Sequence, residues 1–202
     1  MTAILRRCFS KISIIIISIN DMIIKRYYIS IGIELSDSTT FNKWPIIVKT
    51  QDARIYIGNK TYLNSSNNNY HLNMHNRCKL VADREKAVIK VGDNSRIHGA
   101  CIHTYKAITI GNNCLIAANT QIIDGNGHAL SFDDVANRIN TSDQGNPIHI
   151  GDNVWIGANS IILGGTTIGE GTIISAGSVV KGNIPAMSIY GGNPAKLIKS
   201  YT

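Results

Sequence analysis

The residues with the plainest capacity for chemistry lie in and after the stretch "IIDGNGHALSF", residues 122–132, where His128 and Asp124 stand among glycines. An imidazole can take a proton from a weak nucleophile such as a hydroxyl and return it to a leaving group. Downstream come Trp155, the small residues Gly157, Ala158, Ala176 and Gly177, and the cations Lys181, Lys196 and Lys199. Small side chains let a ligand approach the backbone closely. Cations and open N–H groups suit a phosphorylated ligand. No acid follows Glu170, so this end of the chain is locally basic within a net charge of +7.

The elements that position these residues must be mostly β. Of the 202 residues only 16% are charged and 6% aromatic, and 18 are glycine, a composition suited to a β-rich repeat rather than a helical bundle. The basic balance lacks zinc-finger spacing, an aromatic RNA-binding motif or a dense Lys/Arg run, so no nucleic-acid partner is expected. Cys8, Cys78, Cys101 and Cys114 form no CxxC pair and read as free thiols of a reducing compartment, with neither disulfide nor metal. Near the start, Leu5, Cys8, Phe9, Ile12, Ile15, Ile16, Ile19 and Ile23 fall at helical spacing beside Arg6, Arg7 and Lys11. Such a basic amphipathic helix packs on the rest of the protein or lies on an anionic membrane surface. The apolar run is too short to span a bilayer. The expected location is cytoplasmic, with peripheral contact to the inner membrane face as an option.

An internal repeat dominates the rest. Ile150, Ile156, Ile162, Ile168, Ile174 and Val180 recur every six residues, often followed by glycine (Gly151, Gly157, Gly169). Four places after each beat sits a small or β-branched residue: Val154, Ser160, Thr166, Thr172, Ser178. A helix of period 3.6 cannot hold a six-residue beat on one face. Short strands joined by tight turns can, with the apolar residue pointing in and the glycine permitting the turn. Ile110, Ile116 and Ile122 continue the beat upstream, as do Val91 with Ile97 and Ile57 with Leu63. The polar tract "NSSNNNYHLN" (64–73) reads as a loop, and residues 123–147 break the beat as a long excursion carrying His128.

The run "IHIGDNVWIGANSIILGGTTIGEGTIISAGSVV", followed by "YGGNPAKLIK", resembles the hexapeptide-repeat acyltransferases, and within them the sugar and surface-polysaccharide O-acetyltransferases. The resemblance implies a left-handed parallel β-helix, a hand that periodicity does not supply. It divides the chain into a helical segment 1–35, a β-helix 36–192 with the excursion 123–147, and a C-terminal helix 193–202 with Asn193 as cap and Pro194 in its first turn. It further implies a homotrimer that uses acetyl-CoA and a sugar or polysaccharide acceptor, without metal. His128 is then the general base on a loop reaching a neighbouring subunit, and Trp155 borders the acceptor and thioester. The amide groups around Gly157–Ala158 hold the oxyanion. Gly157, Ala158, Ala176 and Gly177 line the pantetheine arm, and Lys181, Lys196 and Lys199 meet the phosphates, with Lys196 and Lys199 as neighbours on the final helix. Three residues lie between Asp124 and His128 instead of the family's two, which leaves its catalytic role open.

The same residues admit three other readings. His98 and His103, with His71, His75 or His128 as a third, are the residues a γ-class carbonic-anhydrase-like zinc site between subunits would use; otherwise His98 and His103 line the acceptor cleft or serve packing. The acceptor could be the amine of a nucleotide-linked amino sugar. The repeat could also be a non-catalytic scaffold.

Overall fold

A computed structural model describes residues 19–68 and 70–201. The apolar positions between Leu5 and Ile16, and Cys8, lie outside the described residues. The described strands assemble into three parallel sheets that wind as one three-sided coil. The first sheet runs Glu34–Leu35, Arg54–Ile57, Val88–Val91, Ala107–Ile110, Ile148–Ile150, Thr167–Ile168 and Asn183–Ile184. The second runs Thr40–Asn42, Tyr62–Asn64, Arg96–His98, Leu115–Ile116, Trp155–Ile156, Ile173–Ile174 and Ser188–Gly191. The third runs Ile46–Lys49, Lys79–Ala82, Cys101–Thr104, Gln121–Ile123, Ile161–Leu163 and Val179–Val180.

The register makes each beat one step of an interior column. In the second sheet Phe41, Leu63, Ile97, Ile116, Ile156 and Ile174 stand on one another, and in the third Ile47, Leu80, Ile102, Ile122, Ile162 and Val180 do. All of these are buried. Each contributes about 1.5–3 kcal/mol of apolar transfer on leaving water. The residues four places after the beat are buried corner groups whose hydroxyls satisfy main-chain carbonyls. Thr172 Oγ1 donates to Pro185 O at 2.7 Å, Thr166 Oγ1 to Leu163 O at 2.6 Å, and Ser178 Oγ to Ser175 O at 2.6 Å.

The glycine after the beat has a different purpose from the one expected. Gly151, Gly157 and Gly169 do not have positive φ; the turns' left-handed positions belong to Asn153, Asn159, Gly171 and Gly177. A Cβ on Gly157 would lie 2.5 Å from the Ala176 amide nitrogen, and one on Gly169 2.3 Å from that of Ala186. These glycines are needed for the close approach of successive coils, not for the turn.

Both ends of the coil are covered. Residues 19–30 form a helix that buries Ile24 and Tyr28 against the first coil, with Tyr28 Oη donating to Pro45 O at 2.6 Å. Asp21 accepts the Phe41 amide at 2.7 Å. The β-helix begins at Glu34, slightly before the expected boundary at 36. At the other end the expected helix 193–202 is absent. Lys196–Ser200 is a strand, paired antiparallel with Ser188–Gly191. A ten-residue helix is marginal alone, whereas the last strand of the second sheet offers an open row of donors and acceptors that a returning strand satisfies.

Candidate functional site

The outward face of the second sheet carries a groove of about 730 Å³. Its floor is a register-matched row, Arg96, Leu115, Trp155 and Ile173, one residue from each successive coil. Its edge is the turn carrying Gly157, Ala158, Ser175 and Ala176. Its far wall is Tyr70, His71 and Leu72, from the insertion between the second and third sheets. Asn67 clamps that insertion, accepting the Met74 amide at 2.6 Å and donating to its carbonyl at 3.1 Å. Trp155 and Leu115 stay exposed on the floor although both are large and apolar, which marks a surface built for contact.

The turn has a regular pattern of free donors. The Gly157 amide is engaged by Ile174 O at 2.8 Å, and that of Gly177 by Ala158 O at 2.8 Å. The amides of Ala158 and Ala176 have no main-chain or side-chain partner among the described residues. Of the Gly157–Ala158 pair, only the Ala158 amide is therefore open to a ligand. Gly177, at φ +71° with open space beside it, shapes the same corner.

The excursion leaves the third sheet after Ile123 and returns at Ile148 in the first, so its root lies at the corner away from the groove. No groove-lining residue comes from it. His128 is exposed on it, and His128 Nδ1 lies 3.0 Å from Thr141 O. A carbonyl only accepts, so Nδ1 carries a proton, and in the neutral tautomer the lone pair a general base needs is on Nε2. The Ala129 amide donates to Thr141 Oγ1 at 2.9 Å, which fixes the same pair of segments. Asp143 ties the opposite side by accepting the amides of Asn126 at 2.5 Å and Gly145 at 3.0 Å. The Asn126 amide, foremost, holds the Asp143 carboxyl below the ordinary range against the opposing effect of burial, with lesser help from the amides of Gly145 and Gln144.

Asp124 does not serve His128. It is buried, and its carboxylate accepts Thr104 Oγ1 at 2.5 Å and the amides of Tyr105, Lys106 and Ala107 at 2.7, 2.9 and 3.0 Å. Its own carbonyl accepts the Asn146 amide at 2.7 Å. Asp124 thus joins the two ends of the excursion to the coil below. Four donors, the Thr104 hydroxyl and three main-chain amides, converge on its carboxylate, which points to an anchoring role.

Residues 147–182 match the family described as bacterial transferase hexapeptide (six repeats), and residues 88–123 that described as hexapeptide repeat of succinyl-transferase. Both segments are thus hexapeptide repeats of the kind those two families describe. Among solved structures it is similar to AntD, an N-acyltransferase from Bacillus cereus, in complex with dTDP-4-amino-4,6-dideoxyglucose and coenzyme A. The TM-score is 0.65 at 19% identity, covering 88% of this chain and 89% of that one. A hexapeptide-repeat acetyltransferase of Vibrio cholerae O1 biovar eltor, complexed with acetyl coenzyme A, matches with a TM-score of 0.51 at 24% identity, covering 88% and 77%. At these identities the likeness establishes the fold, the left-handed parallel β-helix expected from the sequence.

Trp155, Gly157, Ala158 and Ala176 come together at one groove, and the three lysines do not form one cluster. Lys199 pairs with Ile189, which pairs with Ile173, so it continues the groove's row at its C-terminal end. Its ammonium lies 4.7 Å from the Tyr201 ring centre. Lys196 stands opposite Gly191 on the same strand. The expected helical adjacency of Lys196 and Lys199 is lost with the helix. Lys181 lies between the third and first sheets, on the corner that also bears the excursion.

His98 and His103 lie on different sheets. His98 belongs to the second and His103 to the third, where it meets Asp83 Oδ2 at 3.0 Å. Among the described residues no group of three metal-ligating side chains occurs. Cys78 and Cys114 are buried and Cys101 half-buried, and all three are free. Among the groove residues the sequence did not single out are Tyr70, Leu72, Arg96 and Leu115. The one signal available was an aromatic inside the polar tract 64–73.

Proposed function

We propose that this protein moves an acetyl group from acetyl-CoA to a hydroxyl of a sugar, in a surface polysaccharide or its precursor. The observation that carries the reading is the groove, where unpaired amides at Ala158 and Ala176 line a small-residue edge beside exposed Trp155. Adjacent coils are about 4.8 Å apart, so the two amides form a ladder suited to an extended, amide-bearing pantetheine chain. Lys199 at the C-terminal end would meet the phosphates.

His128 completes the site from a neighbouring subunit. Its loop exposes Leu130, Phe132, Val135 and Ile139, with Phe132 78% and Ile139 75% accessible. Such a cluster favours burial against a second copy of the chain, here within a homotrimer. Nε2 of His128 takes the proton of the acceptor hydroxyl as its oxygen attacks the thioester carbon. The oxyanion is held by the Ala158 amide. Collapse expels the thiolate, which receives the proton back from the imidazolium. Lys181 lies on the corner of the excursion and would reach coenzyme A only across the same subunit boundary.

A second reading, N-acylation of a nucleotide-linked amino sugar, is favoured by the fold match to AntD over 88% of the chain. The two readings separate on the base. An amine attacks once neutral, whereas a hydroxyl needs its proton removed in the transition state. Calorimetric titration with coenzyme A, followed by acetyl-CoA turnover with sugar hydroxyl and amino-sugar acceptors, tests both. Turnover of a hydroxyl acceptor that falls ~10²–10⁴-fold in His128→Ala supports the first. Absence of coenzyme A binding refutes both.

The reading also places the protein in the cytoplasm, at the inner face of a membrane. Ile19, Met22, Ile23 and Tyr27 are exposed beside Arg26 on the N-terminal helix, which supports this. No described helix is long and apolar enough to cross a membrane. Sedimentation with anionic vesicles tests the contact, and a protein left wholly in the supernatant at low salt excludes it.

A further inference from the structure

We infer that His98 is a positioning residue for the acceptor sugar, held as a neutral imidazole that donates Nε2–H to an oxygen of that sugar. The inference rests on the acyltransferase reading and adds a residue to it. His98 lines the groove two coils before Trp155, in register with the floor of the same sheet.

The tautomer is set by a chain of fixed donors. The Ser66 amide donates to Asn64 Oδ1 at 3.0 Å, and Asn42 Nδ2 donates to the same oxygen at 2.9 Å. A main-chain N–H can only donate, so the orientation of the Asn64 amide is not free. Its nitrogen must be the atom 3.3 Å from His98 Nδ1. Nδ1 therefore accepts, and the ring's proton is on Nε2. Asn64 is 3% exposed, so this relay is shielded from competing water.

The ring is also fixed in orientation. Tyr70 stacks on it at 4.4 Å between centres and 12° between planes, and Tyr62 meets it edge-on at 6.0 Å and 76°. Burial foremost, then the charges of Arg96 and His71, push the His98 pKa down to about 4. These are the charged or titratable groups that act on it; Tyr62 and Tyr70 carry their own pKa values upward through burial and stay neutral. A ring protonated only near that value is a poor base at neutral pH and a steady hydrogen-bond donor. Among the described residues Nε2–H has no protein partner.

Distance along the axis selects what it binds. The oxyanion amide, Ala158, is on the turn after Trp155, two coils from His98. Two coil spacings are about 10 Å. That is too far for one hydrogen bond to the thioester oxygen, and it leaves room for a sugar ring between the two. The row runs from Lys199 at the phosphate end through Ile173 and Trp155 to Leu115 and Arg96. This puts the acyl group in the middle and the acceptor at His98.

Two measurements test this. The first is nitrogen-15 NMR of the histidine rings in the full chain, with His98 assigned by comparison with His98→Phe. An Nε2–H tautomer that stays neutral from pH 8 to about 5.5 is expected from the low pKa. An Nδ1–H tautomer, or a ring titrating near its ordinary value of about 6.5, overturns the inference without reference to any acceptor.

The second is steady-state kinetics with acetyl-CoA and methyl β-glucopyranoside or dTDP-4-amino-4,6-dideoxyglucose, using the acceptor that the wild type turns over. His98→Phe keeps a flat ring against Tyr70 and should raise the acceptor KM by roughly tenfold or more, the scale of one lost hydrogen bond to a buried donor. Its kcat should fall less, and its coenzyme A Kd should not change. His98→Gln, which restores an N–H near the Nε2 position, should recover most of the loss. An unchanged acceptor KM in His98→Phe overturns the inference, and so does an equal loss of coenzyme A affinity, since the ring would then only support the groove. If the wild type binds no coenzyme A, the acyltransferase reading falls. The outcomes above, in a protein that does bind it, refute His98 alone.

Discussion

Asp124→Asn separates anchoring from catalysis. The substitution keeps size and places one amide nitrogen where the carboxylate now accepts. Either Oδ1, facing the Tyr105 amide, or Oδ2, facing Thr104, Lys106 and Ala107, becomes a donor set against donors. A hydrogen bond to a charged group contributes about 1.5–3 kcal/mol, and an unsatisfied buried donor costs about 1–3 kcal/mol. The three amides are only partly buried, so the lower end applies to each. The amide turns so that its nitrogen faces only the Tyr105 amide; the lost charge-assisted bond (about 1.5 kcal/mol), the unpaired donor (about 1 kcal/mol) and the weakened Oδ2 bonds together cost about 3 kcal/mol. In a chain of this size each kcal/mol moves the melting temperature by roughly 2–4 °C, which gives about 6–12 °C. Differential scanning calorimetry reads the shift. Amide hydrogen exchange should show faster exchange at residues 105–107 and 146, which Asp124 joins, with the columns of the coil less affected. If the variant melts within 2 °C of wild type while acetyl transfer falls a thousandfold, Asp124 is part of the chemistry and the anchoring argument is refuted.

Other outcomes follow from the same structure. His128→Ala should leave the melting temperature unchanged, because the ring is exposed and makes one hydrogen bond, to Thr141 O; a large loss of stability would show that it holds the loop. Ile156→Ala, in the middle of a fully buried column, should cost about 2–5 kcal/mol by denaturant titration. Phe132→Ser with Ile139→Ser should weaken self-association in sedimentation velocity without lowering stability of the coil, and unchanged assembly would free the loop from that role. His98 has a depressed folded pKa of about 4 against about 6.5 unfolded, so its contribution is complete above pH 6.5 and is lost as pH falls toward 4; His98→Gln should flatten that limb of the stability profile. Burial pushes the Cys78 thiol up to about 11, so stability should fall as pH rises from 9 toward 11, and the thiol should resist iodoacetamide at pH 8 until the chain unfolds.

The six-residue beat by itself determined the columns. An apolar side chain every sixth residue can be buried continuously only if each six-residue step turns a corner and each third step returns to the same face, and Ile150 through Val180 do this in the structure. The excursion with His128 was legible because it breaks the beat. Asp124's partners were not, since Thr104, Tyr105, Lys106 and Ala107 lie up to twenty residues earlier in the chain and meet it only because coils stack. The groove was half legible. Trp155, Ala158 and Ala176 lie within the best-patterned segment, while Tyr70 and Leu72 reach the same wall from an insertion that carries no repeat. The C-terminal strand shows the sharpest division. Asn193 and Pro194 are good local starters for a helix. Local preference is worth a few tenths to about one kcal/mol per position. The open edge of Ser188–Gly191 offers a full row of main-chain hydrogen bonds, and that row exists only once the coil is built.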